Sequence, residues 1–195
     1  MTRTEILSGE QGSLIYCPGF FSTQDSGKFF KNLQTEIRWQ ENEITLFGKK
    51  IKEPRLTAFL GNEGIKYKYS GSLRSAEKWT DTLLEIKQKS ENEFNSEFNC
   101  VLCNLYRNGQ DSMGWHSDDE KELGADPIIL SLSFGAERKF LLKEKEGRNR
   151  ISLNLKSGDA LFMGRGIQRN WKHCIPKSIK STERISLTFR AVCMK

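Results

Sequence analysis

The chain has 195 residues, 36% of them hydrophobic and 29% charged, which gives one globular domain with enough apolar residues for a core and excludes a low-complexity chain. No apolar run reaches the roughly 18 residues of a membrane span, and the start MTRTEILSGEQGSLIY lacks the basic-then-apolar order of a secretory leader, so the expectation is an intracellular, monomeric protein, cytoplasmic in a bacterium or nuclear in a eukaryote. Five cysteines, an odd number scattered as Cys17, Cys100, Cys103, Cys174 and Cys193, read as reduced thiols. The net charge of +6 is unevenly spread: between Glu137 and Arg190 there are 14 Lys and Arg against 5 Asp and Glu. Lys143, Lys145, Arg148, Arg150 and their neighbours fall mostly at apparent turns, where they either reach phosphates or simply solvate a loop surface.

In chain order, SLIYC reads as a short strand. The segment from about Gln24 to Ile37 reads as a helix capped by Ser22 or Thr23, with Phe29, Phe30, Leu33 and Ile37 at helical spacing. Between Glu43 and Ser70, ITLF, RLTAFL and IKYKYS are β-rich runs separated by glycine-containing turns. A second helix is predicted from about Ala76 to Lys89, with Trp79, Leu83 and Ile86 on one side. From Phe98 onward FNCVLCNLY, IILSLSF, RKFLLKE, ISLNLK, ALFMG and ERISLTFRAV are short strands at regular spacing, the pattern of a sandwich, jelly roll or barrel. No repeat or Pro-rich linker marks an internal boundary. The prediction is a single domain over 1–195, mainly β with flanking helices (α+β), in which about 20–95 supports a β core at about 96–192.

The only two histidines are His116, in GWHSDDEKE, and His173, in NWKHCIP. On a strand, positions i and i+2 share a face, so His116 and Asp118 can converge on one ion, with His173 as a third ligand from a distant strand. Two imidazoles and one carboxylate that leave three positions open suit a non-haem Fe(II) oxygenase. Catalytic zinc also takes such a set, although the helical H-E-x-x-H spacing is absent. In ERISLTFR, Arg184, Ser186, Thr188 and Arg190 alternate with Ile185, Leu187 and Phe189. Two inward arginines are costly unless a dicarboxylate takes their forked contacts; the other reading is an edge strand with its polar side in water. Asn104 and Tyr106 share a face and offer an amide and a phenol to the same anion from across the barrel. Cys100 and Cys103 form a C-x-x-C, but i and i+3 on a strand point to opposite faces, which makes them core residues and not a chelating pair.

The motifs N-x-Y, H-x-D, a remote His and R-x-x-x-x-x-R occur in that order, within PRLTAFLG, YKYSG, FNCVLCNLYRNGQDSMGWHSDDE, LSLSFGAERKF, WKHCIP and RISLTFR. With them the chain resembles the AlkB-type Fe(II)- and 2-oxoglutarate-dependent dioxygenases, closest to their DNA-repair branch, from about Phe20 to Val192. The resemblance implies a double-stranded β-helix (jelly-roll) core with an N-terminal helical and β-hairpin nucleotide-recognition region. It implies Fe(II) on His116, Asp118 and His173, and O2 as oxidant. It further implies 2-oxoglutarate held by Asn104, Tyr106, Arg184, Ser186, Thr188 and Arg190, with Arg184 on the distal carboxylate. Ser186 stands where some relatives carry Asn.

The implied reaction is oxidative dealkylation of DNA bases of the 1-methyladenine and 3-methylcytosine type, releasing aldehyde, succinate and CO2. The base would be flipped out of the stack and sandwiched between Tyr69 and the ring of His116, with Tyr67 and Glu120 near its polar edge. Phe47 would fill the vacated stack as an apolar wedge, and Arg55, Lys177 and Lys180 would touch the DNA backbone. An enzyme of the same fold acting on RNA or single strands, or a protein or small-molecule hydroxylase, is the alternative.

Overall fold

The computed structural model describes residues 2–46, 49–69 and 72–193, with backbone alone at 44–46, 49–50, 67–69 and 72–74. The elements are β1 (Thr4–Leu7), β2 (Leu14–Cys17), α1 (Thr23–Glu36), β3 (Gln40–Leu46), β4 (Lys49–Gly61), β5 (Lys66–Tyr69), β6 (Ser72–Ser75), α2 (Asp81–Phe94) and β7 (Cys100–Tyr106). They continue with β8 (Met113–His116), β9 (Ile129–Gly135), β10 (Arg138–Glu144), β11 (Arg150–Leu155), β12 (Ala160–Met163), α3 (Ile167–Asn170), β13 (Trp171–Ile175) and β14 (Arg184–Arg190). Helix α1 begins where Ser22 accepts the Asp25 N–H at 3.0 Å, one of the two predicted caps. Helix α2 starts five residues later than the apolar spacing suggests. Glu77 is already held by the sheet, donating to the Phe59 carbonyl and accepting from the Gly61 N–H at 2.9 Å each, so helix begins only after Thr80 caps the Leu83 N–H. Trp79 therefore precedes the helix, yet its ring still stacks on Phe189 at 6.2 Å.

Two sheets carry the site. The larger runs β1-β2-β12-β9-β14-β7-β4-β3 and the smaller β11-β10-β13-β8, while β5 and β6 form a separate hairpin. Strand alternation assigns the side chains. On β7, Val101, Cys103 and Leu105 join Phe29 and Leu33 of α1 and Leu83 and Ile86 of α2 in one core, while Cys100, Leu102 and Tyr106 face the small sheet in a second core with Phe140, Leu142 and Trp171. The result is three layers, helices, large sheet and small sheet, consistent with the expected jelly-roll core. Cys100 and Cys103 lie in different cores, as the strand spacing requires; burial lifts the Cys100 thiol to about 11 and Cys103 higher still.

Strand β14 lies between β9 and β7, not at an edge. Ile185, Leu187 and Phe189 fill the helix-side core, and the alternate residues point between the sheets, which rules out the solvated-edge reading of this strand. The strand's start is set by Gly135, which pairs with Arg184 at φ +87°, a left-handed conformation where a Cβ would meet the Glu183 carbonyl at 2.5 Å and the Phe30 ring at 2.7 Å. Gly135→Ala is expected to destabilise the fold by about 2–4 kcal/mol, combining backbone strain with overpacking; equilibrium urea unfolding with an unchanged m-value measures this directly.

Candidate active site

The two histidines are brought together by strand pairing. β8 and β13 are antiparallel neighbours in the small sheet with His116 directly opposite His173, and the ring centroids lie 4.2 Å apart. Asp118 arrives differently from the strand alternation predicted: β8 ends at His116, and Asp118 sits in the loop beyond it. Its main-chain N–H donates to Gln168 Oε1 at 2.9 Å, and Arg190 Nη2, reaching over from the large sheet, donates to its Oδ1 at 2.9 Å. The three side chains place one donor atom each within 4.8 Å of one another.

The protonation states suit a cation. His116 Nδ1 lies 2.9 Å from the Gly114 carbonyl, so in the tautomer that donates there Nε2 keeps its lone pair for the centre. Burial and the neighbouring His173 push His116 down to about 3, which leaves it neutral at physiological pH. Burial alone would raise the Asp118 carboxyl, but Arg190 and the two imidazoles override it and hold the group ionised well below the usual carboxylate range. Asp118 Oδ2 is buried with no hydrogen bond among the described residues and stands 3.5 Å from His173 Nε2. The His173 ring is packed on Phe140, 5.2 Å between centroids.

A cavity opens on these three residues, walled by Asn104, Tyr106, Ser186, Thr188 and Arg190 among others. Asn104 and Tyr106 are beside the arginine strand rather than across a barrel from it: Asn104 pairs with Ser186 and Tyr106 with Arg184. Arg55 Nε donates to Asn104 Oδ1 at 2.8 Å, which commits that oxygen and leaves the amide nitrogen as the donor. Arg184 is fully buried behind Tyr106, its guanidinium 5.4 Å from the phenol ring and donating to Ser133 Oγ at 2.9 Å.

Residues 13–190 match the 2OG-Fe(II) oxygenase superfamily. The chain belongs to that superfamily. It is 38% identical over 187 residues to the Bos taurus protein named alpha-ketoglutarate-dependent dioxygenase alkB homolog 3, covering 90% of this chain and 65% of that one. It is 35% identical over 219 residues to the Arabidopsis thaliana DNA oxidative demethylase ALKBH2, covering 98% of this chain and 70% of that one. The structure of OsALKBH1 superposes with a TM-score of 0.67 at 15% identity, covering 96% of this chain and 99% of that one, a likeness of fold.

The residues of this chain fit the superfamily's Fe(II) and 2-oxoglutarate. Two imidazoles and an ionised carboxylate with an uncommitted oxygen are ligands for a divalent iron with positions left open. Burial pushes the Arg184 guanidinium down to about 10, and its Nε and Nη1 have no hydrogen-bond partner among the described residues, so this cation lacks the anion that a dicarboxylate cosubstrate would bring.

Of the residues expected at the substrate, Glu120 is half-buried at the start of a 3₁₀ turn two residues past Asp118, and Lys177 and Lys180 are exposed between β13 and β14. Arg55, expected at the DNA backbone, is 4% exposed and bound to Asn104 and, at 3.6 Å, to Glu53. Tyr67 and Tyr69 lie on β5, opposite Arg74 and Ser72, and their side chains are outside the described part; Phe47 lies outside the described residues. The sequence reading missed Gln168, Arg138 and Phe140. A lone Gln in IQRN carries no local signal, because its partner is fifty residues away.

Gln168→Leu should leave the fold intact and weaken divalent-metal binding by about 10–100-fold, since Asp118 loses the group that orients it; calorimetric titration with Mn(II) checks this. His116→Ala should abolish turnover and weaken metal binding with little change in thermal stability, as followed by circular dichroism.

Proposed function

We propose that this oxygenase removes N-alkyl groups from nucleic-acid bases, with lesions of the 1-methyladenine and 3-methylcytosine type in DNA as its substrates. The reading is carried by the His116–Asp118–His173 cluster opening on a cavity lined by Tyr106, behind which Arg184 lies, in a chain whose relatives include proteins named DNA oxidative demethylase. Bound iron, with 2-oxoglutarate and O2, supplies the oxidising power that places a hydroxyl on the N-alkyl carbon. The chain's own part is positional. Arg190 keeps Asp118 ionised and aimed, the Gly114 carbonyl fixes the His116 tautomer, and Asn104, held by Arg55, offers its amide N–H to a carboxylate. Met113, Phe140, Met163 and Ile175 give the cavity an apolar wall that limits water around the metal.

The hydroxylated product is a hemiaminal, which loses aldehyde and returns the unmodified base with no covalent enzyme intermediate. A reacting atom at the pairing edge of a base inside a duplex requires extrusion, which is cheaper for a methylated ring that has lost its pairing. A polyanionic substrate agrees with the charge of the small sheet. Lys143 stands directly opposite both Lys172 and Arg150, and its ammonium lies 4.6 Å from the ring of the exposed Trp115. Like charges in direct register repel, a cost that a phosphate chain offsets.

The test is release of succinate and formaldehyde with Fe(II), 2-oxoglutarate and matched oligonucleotides, methylated or not, as duplex DNA, single-stranded DNA and RNA. Methyl-dependent release of both products is expected, and the three strands rank in the same experiment; succinate without methyl dependence would assign the site to another substrate. Lys177→Ala combined with Lys180→Ala is expected to reduce the slope of log affinity against log salt by about 2, about one per phosphate contact.

A further inference from the structure

Arg138, the first residue of β10, is 2% exposed and takes no part in holding the metal. Its guanidinium donates to three main-chain carbonyls: Asp111 at 2.8 Å, Pro176 at 2.6 Å and Asn108 at 3.3 Å. Its Cζ lies 5.5 Å from the Tyr106 ring centroid, and that of Arg184 lies 5.4 Å from the same centroid. Two buried guanidiniums thus flank one buried phenol.

No carboxylate of the described residues is committed to either. Asp111, whose charge acts on Arg138, is hydrogen-bonded to Arg107, which donates from its main-chain N–H at 2.9 Å, Nε at 2.8 Å and Nη2 at 2.9 Å. Arg138 Nε, like Arg184 Nε and Nη1, has no hydrogen-bond partner among the described residues. If the residue served only to tie the loop at 108–112 to Pro176, a neutral donor would do so without the cost of a second interior cation beside Arg184. The doubled charge makes physical sense when an anion enters next to Tyr106.

We infer that Arg138 is a specificity-determining positioning residue: acting through Tyr106, it makes the inner end of the cosubstrate site doubly cationic and so selects a 2-oxo acid with a second, distal carboxylate. The inference rests on the superfamily's cosubstrate and is independent of which alkylated substrate is turned over. The buried ring of Tyr106 lies between the two cations, and Arg184 keeps two N–H donors for the incoming carboxylate.

Binding to the Mn(II)-loaded protein, measured by calorimetry, tests this with 2-oxoglutarate and with 2-oxobutyrate, which lacks the distal carboxylate. Arg138→Gln is expected to weaken 2-oxoglutarate by about tenfold, the worth of one charge-assisted contact, and 2-oxobutyrate by less than about twofold, with Mn(II) affinity unchanged. Arg138→Lys, which keeps the charge and loses the fork, should retain most of the preference even if its melting temperature falls. In the Tyr106→Phe background, which keeps the ring that both cations face, the effect of Arg138→Gln should persist. Equal weakening of both acids, or none, would make Arg138 a purely structural clamp and overturn the proposal. Should Arg138→Gln fail to fold, loss of the dicarboxylate preference in Arg138→Lys would overturn it as well. If the unmutated Mn(II) protein bound no 2-oxoglutarate, the cosubstrate reading itself would fail, an outcome distinct from an unaltered preference in the variants.

Discussion

One buried ion pair joins the two sheets at the place where the chemistry is sited: Arg190 of β14, in the large sheet, to Asp118, in the loop that leaves the small one. Both side chains are at most 2% exposed, and they meet at 2.9 Å. In stability alone such a pair does little, because desolvating two charges consumes most of their attraction. Its consequence is geometric. A carboxylate tied through Oδ1 to one sheet, and through its main-chain N–H to Gln168, has only Oδ2 left, and that oxygen faces the two imidazoles. Removing the arginine would take away the largest of the charges that offset the burial of this acid and so push its carboxyl toward the protonated form.

The strand that supplies Arg190 organises the rest of the site. β14 has neighbours on both sides, so its apolar face is covered on the helix side and its polar face turns toward the small sheet, where Ser186, Thr188 and Arg190 wall the cavity. Neither could be achieved at an edge. The direct pairings of Tyr106 with Arg184 and of Asn104 with Ser186 follow from that register, and a shift of one residue would exchange the polar and apolar faces together. The helices cover the far side of the large sheet: Phe29, Leu33, Leu83 and Ile86 pack on its core while contributing no group to the cavity. The interior therefore holds four guanidiniums: Arg55 and Arg190 are paired with Glu53 and Asp118, while Arg138 and Arg184 make no ion pair among the described residues. An interior of that charge is built around anions that arrive with the cosubstrate.

Much of this arrangement could be read from local pattern. Alternation in RISLTFR separates the two faces of β14, and the i, i+3 spacing of Cys100 and Cys103 sends them to different cores; both are properties of a strand's period and need no knowledge of neighbours. Where local pattern failed, a long-range contact had prevailed. Ala76 to Trp79 have helical spacing, but Glu77 is held on the sheet edge as an isolated β-bridge by its bonds to Phe59 and Gly61 before a helix can start. Arg55 resembles a surface cation in PRLTAFLG, and becomes an interior one because β4 pairs with β7 and brings it onto Asn104.

The sequence alone determined which residue types were available and which faces they would occupy: the histidines, the H-x-D, the alternating arginines, and through them a resemblance whose superfamily the whole-chain match bears out. Only the tertiary structure decided how they meet. His116 opposes His173 because β8 and β13 happen to be neighbours, Asp118 is aimed by Gln168 from a helix fifty residues on, and Arg138 joins Arg184 around Tyr106 although nothing in GAERKF marks it. The physical reason is the same in each case. Periodicity is a property of the backbone and is written locally, whereas the partner of a buried polar group is chosen by the packing of strands far apart in the chain.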